Sequence, residues 1–327
     1  MELIEIMAGA TAGTATLRVP NKSTSELKVV TLTVNNSCNL SCNHCYLQYN
    51  GDRRTLSKED EKMVLDCRHD FLAIVGKEPT FHPELVGRLV NRSCEMGRKT
   101  SIITNGFQLQ SLSQETLAHL DFLDVSFDGG PKTYSQVRKG DFGELISKIK
   151  QAKNLGTKSV NALHTLYAEN IDNLEDMVRV RDYVDFDTLA FSIYKVPHNH
   201  GSVRVTYSPL VEKVLPILVE NRQFMESDNT KLLLTNADFV QGEPDKILER
   251  AESLGLVGKI HYTDDPLKIG VIRVTYDGKV LAPHDATHPL IYGSVGYSLQ
   301  DSRFGNLNDI FRQIQQDKIS QKSPLLR

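Results

Sequence analysis

The chain has 327 residues, 40% of them hydrophobic and 24% charged, with a formal net charge of −3. That length suits one large domain or one domain with an appendage, and that charge gives no general pull toward nucleic acid or an anionic membrane. No run of 18 apolar residues occurs, and Met1-Glu2-Leu3-Ile4-Glu5-Ile6 lacks the basic and apolar regions of a signal peptide. The expectation is therefore a cytoplasmic protein with no membrane association.

Short β-branched runs recur along the first two thirds, with helical patterns between most of them. The stretch Ala8–Leu17 reads as a small hairpin within an N-terminal extension, residues 1–27. The first strand is Val29–Val34. Next, Ser57 reads as the N-cap of a helix whose first turn is acidic, Glu59-Asp60-Glu61. The second strand, Phe71–Val75, is followed by a helix opening at Pro83-Glu84. Strands then follow at Thr100–Ile103 and Phe122–Ser126, and a helix at Phe142–Leu155 stops at Gly156. Two further strands, Ser159–Leu163 and Thr188–Ser192, complete six strand-helix units. This alternation predicts an α/β fold, a partial (β/α)6 barrel over residues 28–205, with its chemistry at the C-terminal ends of the strands.

After residue 205 the rhythm breaks. Pro209–Asn221 and Asp245–Leu254 read as helices. Val271–Tyr276 turns at Asp277-Gly278 into Lys279–Leu281 as a hairpin. The tail from Gln316 is polar and reads as loose. Residues 206–327 are expected to form a small α+β appendage.

Chemistry concentrates where the first strand ends. Cys38-Asn39-Leu40-Ser41-Cys42-Asn43-His44-Cys45 sets three cysteines at C-x3-C-x2-C spacing. Three thiolates on one short loop can hold three irons of a [4Fe–4S] cluster and leave the fourth iron open to a small molecule. A structural zinc site, with His44 or a distant histidine as fourth ligand, is the alternative. The two other cysteines, Cys67 and Cys94, follow apolar residues at helical spacing and read as core; either could instead donate a hydrogen atom to a substrate radical. An odd, uneven set of five cysteines makes a poor disulfide framework.

The other strand ends carry small and polar residues. The second ends in Gly76-Lys77-Glu78-Pro79, the third in Thr104-Asn105-Gly106, the fourth in Ser126-Phe127-Asp128-Gly129. With the cysteine loop, these segments resemble the radical S-adenosylmethionine (radical SAM) enzymes in motif order and spacing, over roughly residues 28–200. The resemblance implies cluster ligation by Cys38, Cys42 and Cys45, with His44 at the aromatic position beside the adenine. Gly76, Lys77, Glu78 and Pro79 match the family's Gly-Gly-Glu-Pro segment at the methionine amino group, with Lys77 in place of the second glycine. Thr104, Asn105, Ser126, Asp128, Arg138 and Asn170 are the further expected S-adenosylmethionine contacts. The implied activity is reductive cleavage of S-adenosylmethionine to a 5′-deoxyadenosyl radical that removes a hydrogen atom from substrate. An electron donor such as flavodoxin or ferredoxin is the implied partner.

Thr275–His284 and Gly305–Phe311 resemble the SPASM or Twitch extension of peptide-modifying members. There a cysteine normally follows the proline; here His284 follows Pro283, and no cysteine occurs after Cys94. An auxiliary cysteine-ligated cluster is therefore excluded from this region, which is expected to be a substrate wall. The resemblance implies maturation of a ribosomally made peptide, with a peptide-recognition protein as a further candidate partner. Action on a nucleoside, sugar or cofactor precursor and a non-catalytic metal-binding role are the alternatives. His198, His200, His284, His288 and Tyr194 are candidate substrate or metal contacts. No basic-aromatic interleaving favours RNA.

Overall fold

The computed structural model describes residues 25–42, 44–45, 54–193, 209–227, 231–235, 244–256, 260–261, 270–281 and 296–322. The expected hairpin at Ala8–Leu17, Tyr194, and His198, His200, His284 and His288 lie outside the described residues.

The strands are β1 (Val29–Thr33), β2 (Phe71–Val75), β3 (Lys99–Thr104), β4 (Phe122–Ser126), β5 (Val160–Leu166), β6 (Thr188–Ile193), β7 (Lys231–Thr235), β8 (Ile260–His261), β9 (Val271–Val274), β10 (Lys279–Leu281) and β11 (Gly296–Ser298). They form an 11-stranded sheet in the order β11-β10-β9-β1-β2-β3-β4-β5-β6-β7-β8. Every pairing from β9 to β8 is parallel; β10 and β11 run antiparallel. The helices are α1 (Lys58–Asp66), α2 (Pro83–Glu95), α3 (Gln114–His119), α4 (Tyr134–Arg138), α5 (Phe142–Asn154), α6 (Leu174–Val178), α7 (Leu215–Ser227), α8 (Pro244–Ser253) and α9 (Leu307–Lys322).

The strands form because both faces are covered. All of β1, Val-Val-Thr-Leu-Thr, is buried. Val30, Leu32 and Val34 join the large core cluster that also contains Leu85, Val86, Leu89 and Val90 of α2. On the other face, Ile103, Leu163 and Ala190 pack together. Continuous apolar strands are the signature of a parallel sheet sheltered on both sides.

The predicted caps are in place. The Ser57 hydroxyl accepts from the Asp60 N–H at 3.0 Å, and Pro83 opens α2. Gly156, at φ +103, follows the Leu155 cap that ends α5.

The C-terminal third departs from the expected appendage. The sheet crosses the expected boundary at residue 205 without interruption, through β7 and β8. The hairpin strand β9 then pairs directly with β1, Thr31 opposite Arg273. This pairing covers the edge that β1 would otherwise leave open. The hairpin turn spans Thr275–Gly278, with Gly278 N–H donating to Thr275 O at 2.9 Å and only Gly278 at positive φ, +74. The expected loose tail is helical through Lys322: Leu307, Ile310, Phe311 and Ile314 are all buried, and their spacing makes one apolar face.

One buried group has no partner. His164 on β5 is fully buried, stacked on Phe191 at 5.0 Å and 12°, and neither ring nitrogen has a hydrogen-bond partner. Burial pushes its pKa down to about 4. His69 is likewise pushed down by burial, to about 3. In the unfolded chain a histidine titrates near 6.5. Between about pH 6.5 and 4 the unfolded chain therefore binds protons that the folded chain refuses, and stability falls as pH falls through that window. His164→Leu is expected to raise stability by about 1–2 kcal/mol at pH 7, because it removes two unsatisfied polar atoms. Urea melts at pH 7 and pH 5 check this. The gain must be larger at pH 5, with the slope due to His69 remaining.

Candidate active site at the strand C-termini

The C-terminal ends of β1 to β5 bring the motif residues together. Glu78 is fully buried just beyond β2. One carboxylate oxygen accepts from the Thr80 N–H at 3.0 Å, the Thr80 hydroxyl, and the Thr104 hydroxyl at 2.6 Å; the other accepts from the Asn105 N–H at 2.7 Å. Glu78 therefore ties the end of β2 to the end of β3 and has its acceptor capacity committed to protein donors. Its backbone carbonyl accepts from Asn35 Nδ2 at 2.7 Å, which adds the end of β1. Gly76 is where these segments approach most closely: a Cβ there would sit 2.9 Å from Asn35 Oδ1. Pro79 is buried at the start of a short 3-10 turn, and Lys77 is half-buried.

Asn105 reaches the cysteine loop. Its amide donates to Asn39 Oδ1 at 2.7 Å and to Cys38 Sγ at 3.5 Å. The Leu40 N–H also points at Cys38 Sγ, at 3.4 Å. Cys42 Sγ lies 3.9 Å from the backbone oxygen of Arg138, and Cys45 N–H donates to Cys42 O at 3.2 Å. Burial pushes the Cys38 and Cys42 thiols above their ordinary pKa, so any metal must displace their protons.

Asp128, following β4, is buried and held at φ +52, a left-handed conformation that aspartate tolerates better than most residues. Its carboxylate pairs with the Arg138 guanidinium, lies 2.8 Å from His44 Nε2, and accepts from the Thr165 N–H. Burial alone would raise its pKa; Arg138 and His44 outweigh this and hold the carboxyl well below the usual carboxylate range. Asn170 braces the same corner. Its amide donates to Asp128 O at 3.3 Å and Thr165 O at 2.8 Å, and its oxygen accepts from the Tyr167 N–H at 2.9 Å. The Tyr167 ring in turn stacks on His44, centroids 5.3 Å apart. Ser126 closes β4 and is partly exposed.

The expected residues Cys38, Cys42, Cys45, His44, Glu78, Thr104, Asn105, Asp128, Arg138 and Asn170 thus form one connected network. Sequence reasoning missed Asn35, Thr80, Thr165 and Tyr167. Each follows a strand within a few residues, the one signal that could have found them. Cys67 and Cys94 are corrected as hydrogen-atom donors. They end α1 and α2 and precede β2 and β3, so the topology puts them at the opposite end of the sheet. Cys67 is buried, as expected, while Cys94 is only partly so.

The cysteine loop suits an iron–sulfur cluster. All three thiols are free, and N–H groups aimed at Cys38 Sγ are what a ligating thiolate accepts. Among the described residues, no three His, Cys, Asp or Glu side chains form a group that could hold a single metal ion. Among them, too, no helix is long and apolar enough to cross a membrane.

Comparison with known proteins agrees with this geometry. Residues 32–180 match the radical SAM superfamily. A probable GTP 3′,8-cyclase of Saccharolobus islandicus (strain L.S.2.15 / Lassen #1) is 32% identical over 139 residues, covering 40% of this chain and 45% of that protein. The antilisterial bacteriocin subtilosin biosynthesis protein AlbA of Bacillus subtilis (strain 168) is 27% identical over 187 residues, covering 53% of this chain and 39% of AlbA. The matched segments span about half the length of these curated relatives or less. Streptococcus suis SuiB bound to S-adenosylmethionine superposes with a TM-score of 0.61 at 15% identity, covering 88% of this chain and 66% of SuiB. The AdoMet-bound enzyme anSMEcpe superposes at 0.51 with 18% identity, covering 79% and 71%. The fold is therefore that of the radical SAM proteins, and the chain carries, at residues 32–180, a domain of the radical SAM superfamily.

Proposed function

We propose that this chain is a radical SAM enzyme that holds a [4Fe–4S] cluster through Cys38, Cys42 and Cys45 and acts on a ribosomally made peptide. The observation that carries the reading is the loop of three free thiols, braced by Asn105 on one side and set beside the His44–Asp128–Arg138 group on the other. When bound, such a cluster chelates S-adenosylmethionine at its open iron and supplies the electron that cleaves the sulfonium bond, giving the 5′-deoxyadenosyl radical for hydrogen abstraction.

The protein's own part is positioning. Main-chain groups of Gly76 and Lys77 receive the methionine amino group, because the Glu78 side chain is already committed and Pro79 only fixes the turn. His44, held flat by Tyr167 and Asp128, lies beside the adenine. Ser126, Asp128, Arg138, Thr104 and Asn170 shape the ribose and carboxylate side. Residues 28–205 are the cofactor-binding barrel, residues 206–327 the substrate wall, and residues 1–27 an extension. A flavodoxin or ferredoxin supplies electrons, and a peptide-recognition protein is a candidate companion. The likeness to AlbA and the fold shared with SuiB, which has been crystallised with its precursor peptide SuiA, support the peptide reading. The likeness to probable GTP 3′,8-cyclases supports a second reading, a nucleotide-like small molecule as substrate.

The test is anaerobic reconstitution with iron and sulfide, then dithionite and S-adenosylmethionine, with 5′-deoxyadenosine followed by mass spectrometry. About four irons should bind per chain, and Cys42→Ala should lower 5′-deoxyadenosine on the order of 100-fold or more. Zinc binding without iron would sink the reading. A mass change in a precursor peptide, against consumption of a nucleotide, separates the two substrates.

A further inference from the structure

Arg138 stands out among the residues around the cysteine loop because it is a buried cation with capacity to spare. Its side chain is 11% exposed. One terminal nitrogen pairs with Asp128. Its Nε is buried with no hydrogen-bond partner. Its own backbone oxygen is the group 3.9 Å from Cys42 Sγ. Burial disfavours the guanidinium charge, and Cys42, Asp128 and Tyr134 outweigh burial and keep it protonated. The same cation acts on both the Cys42 and Cys38 thiols.

The other charges near the loop are accounted for. Glu78 acts on Cys38 but is surrounded by four donor contacts from Thr80, Thr104 and Asn105. Asp128 acts on Cys42, more weakly than Arg138 does, and is shared between Arg138 and His44. Reduction adds one negative charge to a group that already carries three thiolates. In a water-poor site that charge is stabilised mainly by the nearest fixed cation. Local charge and hydrogen bonding are the protein's levers on the potential of an iron–sulfur cluster.

We propose that Arg138 sets the reduction potential of the cluster held by Cys38, Cys42 and Cys45, by stabilising its one-electron-reduced form before S-adenosylmethionine binds. The proposal rests on the cluster reading given above. The step is a single electron entering from an external one-electron donor, a reduced flavin or iron–sulfur protein, with no bond made or broken.

The test is a redox titration of the full reconstituted chain without S-adenosylmethionine, with dithionite as reductant and the reduced cluster read by electron paramagnetic resonance. Wild type, Arg138→Gln and Arg138→Lys are compared at equal iron content and equal far-ultraviolet circular dichroism. Arg138→Gln is expected to lower the potential, so that the ratio of reduced to oxidised cluster at a fixed applied potential falls about tenfold. Arg138→Lys should recover most of it. If Arg138→Gln does not load, the double variant Arg138→Gln with Asp128→Asn removes the pair as a unit. It should also titrate lower, because Arg138 acts on Cys42 more strongly than Asp128. A loaded variant lacking the cation but with wild-type potential overturns the proposal; a loss confined to S-adenosylmethionine affinity would make Arg138 a cofactor anchor instead. Failure of the wild-type chain to bind a cluster would overturn both this proposal and the reading beneath it, and iron content separates the two cases.

Discussion

Asp128→Asn should cost about 3–5 kcal/mol of stability, because it breaks a buried ion pair from one side and strands the Arg138 guanidinium. The carboxylate pairs with Arg138, lies 2.8 Å from His44 Nε2 and accepts from the Thr165 N–H. An amide of the same shape offers one oxygen where two are used, and its NH2 must face one of these donors. Backbone strain does not confuse the result, since asparagine accepts the φ of +52 about as readily as aspartate. The pH dependence is a second check. Asp128 has its pKa depressed in the folded chain, so its contribution is complete above the unfolded value of about 3.9 and is lost only as pH falls below it. Urea melts of the cluster-free chain at pH 7 and pH 5 should therefore give the same loss. A loss under 1 kcal/mol, or one confined to pH 5, would mean that Arg138 finds other anions and that the network is looser than its geometry.

What could be read from the sequence here was chemistry placed at strand ends. Cys38–Cys45, Gly76–Pro79, Thr104–Gly106 and Ser126–Gly129 each follow a buried strand, where a parallel sheet puts its binding loops. What could not be read was which polar groups serve each other. Glu78 looks like a ligand-facing acid in the sequence, but the structure commits its carboxylate to Thr80, Thr104 and Asn105. Nothing local reveals this, because its partners come from a strand 26 residues on. The pairing of β9 with β1 was hidden for the same reason. A hairpin pattern specifies its own two strands and not the third strand that accepts them. The helix from Leu307 to Lys322 was underestimated because Gln, Asp, Lys and Ser crowd its exposed side while its buried side carries only a few apolar residues. His44 shows the reverse case. Its motif position was legible, but its contacts with Asp128 and Tyr167 depend on the ends of β4 and β5 meeting.

Glu78→Gln tests that hidden commitment. The glutamine oxygen can keep the three contacts with Thr80 N–H, Thr80 hydroxyl and Thr104 hydroxyl. Its NH2 then meets the Asn105 N–H, donor against donor, where the carboxylate now accepts at 2.7 Å. Losing one charge-assisted bond and leaving one buried N–H unsatisfied is worth about 3 kcal/mol. The effect should not stay local. Asn105 is the residue that reaches Asn39 and Cys38, so freeing its backbone loosens the loop that carries the thiols. Two readouts are expected to move together: the urea midpoint of the cluster-free chain falls, and iron bound after reconstitution falls with it. Asn105→Ala separates the two effects, because it keeps the backbone bond to Glu78 while removing the side-chain contacts to the loop. It should lower iron binding with a smaller loss of stability. If Glu78→Gln leaves stability unchanged and abolishes only S-adenosylmethionine binding, Glu78 faces the ligand, and the tie between β2 and β3 is not what holds the cysteine loop in place.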